Sequence, residues 1–356
     1  MVALRYSAVV PAFDAAATLE ACLGALTSAV PAPAEIIVYD DGSTDRTREI
    51  ALHHGAVVVR GDRAQAGPAV GRNAAARVAT SPILVFVDAD VVAEPDAPGR
   101  LAAALTDGVV ASFGAYGDRA RVSRLAGRYA NLRHHHTHVT APLEASTFWA
   151  GLGAVDAEAF RRVGGFDEQF ARPSIEDVEL GLRLRREGGI RIVRQARGHH
   201  LKNWNLRQLW RTDITRRAVP WSVLMAEGRI PATLNTGASE RTKSALALAV
   251  LGALLASPFS PVMLLLGAAA LAAYLALNGA FLRLLATDSA RLLAAGSALH
   301  LAYHVYASVV CTAVLVGLGF RARMRRRQRA ETAIAAQRRP VRIEASPAEA
   351  RQPTVA

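Results

Sequence analysis

The chain has 356 residues, room for one large domain and an appendage, with a formal net charge of +12 from 42 Lys and Arg against 30 Asp and Glu. Much of that excess lies in Arg321, Arg323, Arg325, Arg326, Arg327 and Arg329, directly after an apolar stretch, so anionic lipid and membrane topology explain it more simply than nucleic acid. The two cysteines, Cys22 and Cys311, are far apart and in different kinds of segment, which excludes a disulfide framework and agrees with a reducing compartment.

No basic segment followed by an apolar one opens the chain, so no cleavable signal peptide is expected and the first 240 residues should stay in the cytoplasm. Strand and helix patterns then alternate, the signature of a parallel α/β sheet. Strands are predicted over 6–11, 35–39, 57–60, 83–87 and near 109–113, with helices over 16–29, from 44, over 71–79 and over 97–106. The pattern weakens over 119–148, where His134, His135, His136 and His138 read as a metal cluster, a polar loop or a helix lining a site. A helix after 157 ends at Gly164-Gly165, and another over 176–187 ends at Gly188-Gly189.

Over 203–229, Trp204, Trp210 and Trp221 interleave with Arg207, Arg211, Arg216 and Arg217, a pattern for a membrane interface or for an ordinary surface helix. Residues 244–282 and 292–320 carry no Asp, Glu, Lys or Arg, and either stretch exceeds the roughly 20 apolar residues that cross a bilayer. Pro258 and Pro261 split the first, leaving 244–257 as a short, tilted or re-entrant piece. Two full crossings, over 262–282 and 292–320, bring the arginine-rich tail back to the cytoplasmic side. The expected organisation is therefore a catalytic domain over 1–202, an amphipathic interface segment over 203–241, two or three transmembrane helices over 242–320, and a basic, disordered cytoplasmic tail over 321–356.

Four elements at successive strand ends carry the chemistry. Pro11-Ala12-Phe13-Asp14 follows the first strand, and Asp40-Asp41-Gly42-Ser43-Thr44-Asp45 the second, with a glycine for the turn and hydroxyls to cap a helix. Gly71-Arg72-Asn73 offers a cation and helix-end amides to an anion. Asp88-Ala89-Asp90 places two carboxylates at the carboxyl end of a buried strand, where open α/β sheets bind ligands and where a hard divalent cation would share phosphate oxygens. A ring to stack on a base, acids for ribose and metal, and a cation for pyrophosphate are what a nucleotide diphosphate needs.

With Gly164-Gly165-Phe166-Asp167-Glu168-Gln169-Phe170 and Glu176-Asp177-Val178-Glu179-Leu180 added, five motifs in this order resemble family 2 glycosyltransferases over roughly residues 5–200. The resemblance implies a membrane-anchored bacterial enzyme of the inverting type, with a GT-A fold: an α/β, Rossmann-like domain with a mixed, mainly parallel sheet. It implies that Phe13 and Asp40 hold the base, with Pro11 and Ala12 lending backbone contacts and Asp41 beside them. Arg72 would meet the diphosphate, Asp88 the ribose or metal, and Asp90 the metal, Mg²⁺ or Mn²⁺. Asp177 would be the general base, with Glu176 next to it.

His199-His200 reads as a completion of the metal shell, for which His199 is the candidate, as an acceptor contact with Lys202 and Arg183, or as the polar end of a strand. The expected reaction moves a sugar from a nucleotide-diphosphate sugar to an acceptor hydroxyl or phosphate, on a lipid or glycan at the inner membrane, with the catalytic domain facing the cytoplasm. Phe13-Asp14 stands where family members often carry Tyr-Asn, and no clean Q-x-x-R-W element follows Asp177, which favours transfer of a single sugar over processive synthesis. A nucleotidyltransferase, the other class that sets acids after a strand, would carry a Gly-rich basic loop after the first strand, and this chain does not.

Overall fold

The computed structural model describes residues 4–61, 64–229 and 237–337, with side chains through Arg321. The later tail arginines and residues 338–356, which composition reads as disordered, lie outside what is described.

In chain order the elements begin β1 (Ser7–Ala12), α1 (Ala16–Thr27), β2 (Glu35–Asp40), α2 (Thr47–His53), β3 (Val57–Arg60), α3 (Pro68–Val78), β4 (Ile83–Val87), β5 (Val91–Ala93), α4 (Ala97–Ala103) and β6 (Val109–Tyr116). They continue α5 (Leu125–Thr140), β7 (Leu152–Asp156), α6 (Ala157–Arg162), α7 (Glu176–Leu184) and β8 (Gly189–His200). Eight strands form one sheet in the order β3-β2-β1-β4-β7-β6-β8-β5. The β1, β2, β3 and β4 pairings are parallel, as is β6 with β8, while β7 lies antiparallel to both β4 and β6, and β5 antiparallel to β8. This is the mixed, mainly parallel sheet expected above.

Side chains of a strand alternate between faces, and here both faces are covered. Ala8, Val10, Val38, Val85 and Val87 meet Leu19, Leu23 and Leu26 of α1 on one side. Val9, Ile37, Leu84 and Phe86 meet Ala75, Phe160 and Phe166 on the other. The strands predicted up to 87 lie within a residue of the observed ones, and that near 109–113 opens β6. Three more strands, β5, β7 and β8, enter the sheet with no strand predicted over their length. The histidine-rich stretch is a helix, α5, laid against β6.

Beyond β8 the chain continues as α8 (Leu206–Thr212), a π-helical turn (Asp213–Ala218) and α9 (Val219–Ala226). Four further helices follow, α10 (Ala238–Ala256), α11 (Val262–Leu277), α12 (Gly279–Asp288) and α13 (Ala290–Gln337). Within α13, Ala290–Arg321 is long and apolar enough to cross a membrane. The span expected over 262–282 is not straight: α11 and α12 meet at 73°. Asn278 and Gly279 are poor helix formers, and the Asn278 amide nitrogen donates to the carbonyl of Tyr274 at 2.8 Å, fixing the break. Leu254, Leu255, Phe259, Leu265, Val316 and Phe320 are exposed on these helices, with Phe259 at the α10–α11 turn 90% exposed.

Candidate active site

The loops after β1 and β2 are stitched together. Asp14, at φ +43°, accepts from the Thr44 backbone N–H at 2.8 Å, while its own N–H donates to Ser43 Oγ at 3.0 Å. Pro11, Ala12 and a half-exposed Phe13 are thereby presented along a cavity of about 1830 Å³. Asp41 lines it too, its carboxylate accepting from the N–H groups of Ala66 and Gly67 at 2.8 and 2.9 Å. Asp40 is buried and points into its own turn, accepting from Ser43 N–H at 2.9 Å and lying 3.4 Å from Arg60. Of the two adjacent acids, Asp41 reaches the cavity wall.

Arg72 projects from α3 between two carboxylates. Its Nη2 donates to Asp88 at 2.7 Å and its Nη1 to Glu176 at 3.0 Å, with the guanidinium 5.2 Å over the Phe166 ring. Asn73 ties the Gly164-Gly165-Phe166 motif to the same helix, donating to the Phe166 carbonyl and accepting from the Phe166 N–H, both at 2.8 Å. The five motifs therefore meet in space. Arg72 joins the third, fourth and fifth by a forked ion pair with two acids.

Asp177 lies in the first turn of α7, accepting from Val178 N–H at 2.8 Å and from Ala150 N–H at 3.3 Å, and it opens into the cavity. Burial, and then the Glu176 charge beside it, push its carboxyl up to about 7 against the opposing pull of Arg72. Glu176, which lines the same cavity, instead holds Arg72 and accepts from Ser174 N–H at 2.7 Å. Two adjacent acids thus take separate roles, one tied to a cation and one kept near neutrality.

On the far side of Asp88, the backbone N–H of Leu201 donates to the carbonyl of Asp90 at 2.8 Å, and Val91 pairs with His200 across the antiparallel β5–β8 ladder. That register brings His200 Nε2 to 3.3 Å from Asp90 Oδ2. Neighbours along a strand face opposite ways. His199 consequently turns out of the cavity toward Glu94, 3.8 Å away, and the imidazole that meets the acid pair belongs to His200. The assignment of His199 as candidate ligand is corrected accordingly.

His200 stacks on Tyr116 with centroids 4.8 Å apart, and its Nδ1 lies 3.0 Å from Asn131 Oδ1 on α5. Asn131 Nδ2 donates to the His200 carbonyl at 3.0 Å. A carbonyl only accepts, which fixes the orientation of the amide; Oδ1 also only accepts, which places the proton on Nδ1. Nε2 is left facing the Asp90 carboxylate. Burial raises Asp90, but His200 and Lys202 outweigh it and hold the carboxyl below its usual range.

His134, His136 and His138 of α5 line the cavity. Burial, with His138 and Arg217 next, holds His134 well below its usual value, and burial brings His138 down to about 4, so both are neutral wall groups. No cluster of three or more His, Cys, Asp or Glu suited to a metal occurs among the described residues. The helix lining the site, of the three readings of this stretch, is the one observed. Asn131 and the identity of the facing histidine are the site features the sequence did not reveal, since both depend on pairing between strands distant in sequence.

The sequence model described as glycosyl transferase family 2 matches residues 7–164, and that described as N-terminal domain of galactosyltransferase matches residues 130–203. The validoxylamine A glucosyltransferase of Streptomyces hygroscopicus subsp. limoneus is 31% identical over 51% of this chain and 48% of its own length, so the chain spans about half of that relative. Among solved structures, the mannosyltransferase PcManGT from Pyrobaculum calidifontis, in complex with GDP-Man and Mn²⁺, is 23% identical over 88% of this chain and 87% of that one, with a TM-score of 0.49. The glucosyl-3-phosphoglycerate synthase of Mycobacterium tuberculosis, with Mn²⁺, UDP and its product, is 24% identical over 64% of this chain and 81% of that one, with a TM-score of 0.44. The matched segment contains β1 through α6 and the first four of the five motifs: over residues 7–164 the chain matches the family 2 glycosyltransferases.

Proposed function

We propose that this chain transfers a single sugar from a nucleotide-diphosphate sugar to an acceptor hydroxyl by one inverting displacement. The observation that carries the reading is Asp177: a carboxylate with its affinity for protons raised to about 7 opens onto the same cavity wall as Phe13, Asp88 and Asp90. A base poised near the working pH takes the acceptor proton most effectively as the oxygen attacks. One displacement asks for no nucleophile on the protein.

Phe13 offers a ring face to the base, and Pro11, Ala12 and Asp41 form the wall around it. Arg72 and Asp88 stand where a diphosphate would follow. Asp90 Oδ2 and His200 Nε2 would hold a divalent cation of the Mg²⁺ or Mn²⁺ class, because a carboxylate and an imidazole nitrogen are both ligand types for it, they face each other at 3.3 Å, and Asn131 supplies the second hydrogen bond that orients the imidazole. When bound there, it would supply positive charge to the departing diphosphate, beside that of Arg72.

The exposed apolar side chains of α10, α11 and α13 support attachment to a membrane, with the catalytic domain on the cytoplasmic side and an acceptor that resides in the bilayer. The test is a panel of nucleotide sugars offered to the full chain with membrane extract as acceptor. Release of nucleoside diphosphate from one donor, lost in Asp177→Asn while nucleotide still binds, is the expected result. Unchanged turnover in Asp177→Asn removes the base and the mechanism with it.

A further inference from the structure

The cavity does not end at Asp177. It continues past the π-helical turn to α10 and α13, where Leu248, Ala307 and Cys311 line it. A single π turn inside a helix often marks a functional position, and here its cause is visible. Pro220 lacks the N–H that an α-helix would direct at the carbonyl of Arg216, and the hydroxyl of Ser174 donates to that carbonyl at 3.0 Å instead. The turn is thus fastened to the loop that leads into Glu176 and Asp177.

The turn carries two arginines along the cavity wall. Arg217 is held by Asp213 at 2.8 Å, and Asp213 in turn is buried between Arg133, 2.8 Å away, and Tyr306 of α13, 2.7 Å away. Arg216 is different: the residue is partly buried, lines the cavity, and its side chain has no hydrogen bond or ion pair among the described residues. A half-buried cation without a counter-charge is an anion site in waiting. The order along the cavity is then a base, two cations and an apolar lining.

We propose, resting on the glycosyltransferase reading, that the turn Asp213–Ala218 binds the phosphate of the acceptor, an amphiphile whose phosphodiester joins an apolar tail to a hydroxyl-bearing head. The tail lies along α10 and α13, the phosphate meets Arg216 with Arg217 beside it, and the head places a hydroxyl at Asp177. The step is the one already described: the hydroxyl oxygen bonds to the anomeric carbon, its proton goes to Asp177, and nucleoside diphosphate leaves with the electron pair of the broken bond. The phosphate is a handle and takes no part in bond making.

The test titrates detergent-solubilised full chain with dioctanoyl phosphatidylglycerol by calorimetry, with dioctanoylglycerol and glycerol 3-phosphate as probes of tail and head alone. Saturable binding of the phospholipid only is expected, weakened about tenfold in Arg216→Ala, as loss of one charged hydrogen bond implies, and largely restored in Arg216→Lys. Absent binding, binding indifferent to both Arg216 variants, or equal binding of either partial probe overturns the assignment. Uridine and guanosine diphosphates are titrated in parallel. Lipid binding without nucleotide binding sinks the glycosyltransferase reading alone, and nucleotide binding without Arg216-dependent lipid binding sinks the acceptor site alone.

Discussion

Asp177 and Glu176 are adjacent in sequence and opposite in environment, and pH separates them. With its carboxyl raised to about 7, Asp177 is largely protonated in mild acid, so transfer should rise with pH along a limb centred near 7. Glu176→Gln removes a charge that raises Asp177 and should move that limb to lower pH, read from kcat/KM profiles of the two proteins. Stability carries the same signature with a definite sign. A carboxyl whose folded value lies above its unfolded value, about 4, adds stability that is complete below pH 4 and lost as pH rises through 7. Asp177→Asn should therefore melt higher than the parent chain at pH 8, and the gap should close toward pH 4. A second prediction concerns Asn131, which fixes the tautomer of His200. Asn131→Leu should weaken Mn²⁺ binding about 10- to 100-fold, measured by electron paramagnetic resonance without any substrate. The acids of this site were legible because each directly follows or opens one local element. The choice between His199 and His200 was not, because it rests on the β5–β8 register, which couples residues over a hundred positions apart.

At the scale of elements, α7 sets how close Asp177, the proposed base, comes to the sheet. Gly181, one turn after Asp177 on the same face, packs so tightly that a Cβ there would stand 2.2 Å from the backbone nitrogen of Phe148. Alanine is the better helix former by about 1 kcal/mol, yet overpacking of this kind costs about 1–3 kcal/mol. Gly181→Ala should accordingly lower the melting temperature and reduce transfer together, since the helix must lift Asp177 away from Ala150. The parallel half of the sheet was readable from apolar runs bounded by turns. The β7 strand was hidden in a short glycine-containing stretch, and β8 in one with arginine at every third position, 191, 194 and 197; both are specified by the neighbours they pair with. The α5 helix was one of three readings of its stretch for another reason: beside Ala126, Gly127 and Leu132, its buried face is built from Tyr129, Asn131, His135 and His138. A polar face satisfied by Gly114, Tyr116 and His200 has no apolar period to read.

Across the whole molecule, the catalytic domain and the apolar helices share a polar seam. Arg128 pairs with Asp288, Tyr129 meets His300 at 3.1 Å, Arg133 lies 4.3 Å over Tyr303, and Tyr306 donates to Asp213. The helices are thus joined to the domain by buried hydrogen bonds and are not a loosely tethered anchor. If their outer ends engage lipid, charging those ends should free the chain while sparing the seam. Leu255→Asp with Leu265→Asp should shift the full chain from the membrane pellet to the supernatant, with nucleotide affinity unchanged; continued pelleting would place the attachment elsewhere. In the sequence, His300, Tyr303 and His304 share one helical face of an apolar stretch, as residues that meet another helix or headgroups do, but their partners lie too far along the chain to be named.

On the proposed attachment to a membrane, that seam would also act as a waterline. It occupies the first half of the apolar part of α13, leaving about 21 Å of helix from 307 to 320 at 1.5 Å per residue, against roughly 30 Å of hydrocarbon in a bilayer. The draught of the molecule is therefore set by where the polar side chains stop, not by how long its apolar helices are. A protein riding at that depth carries its reaction centre at a constant height above the acyl chains, and an acceptor can present its head there with its tail still submerged.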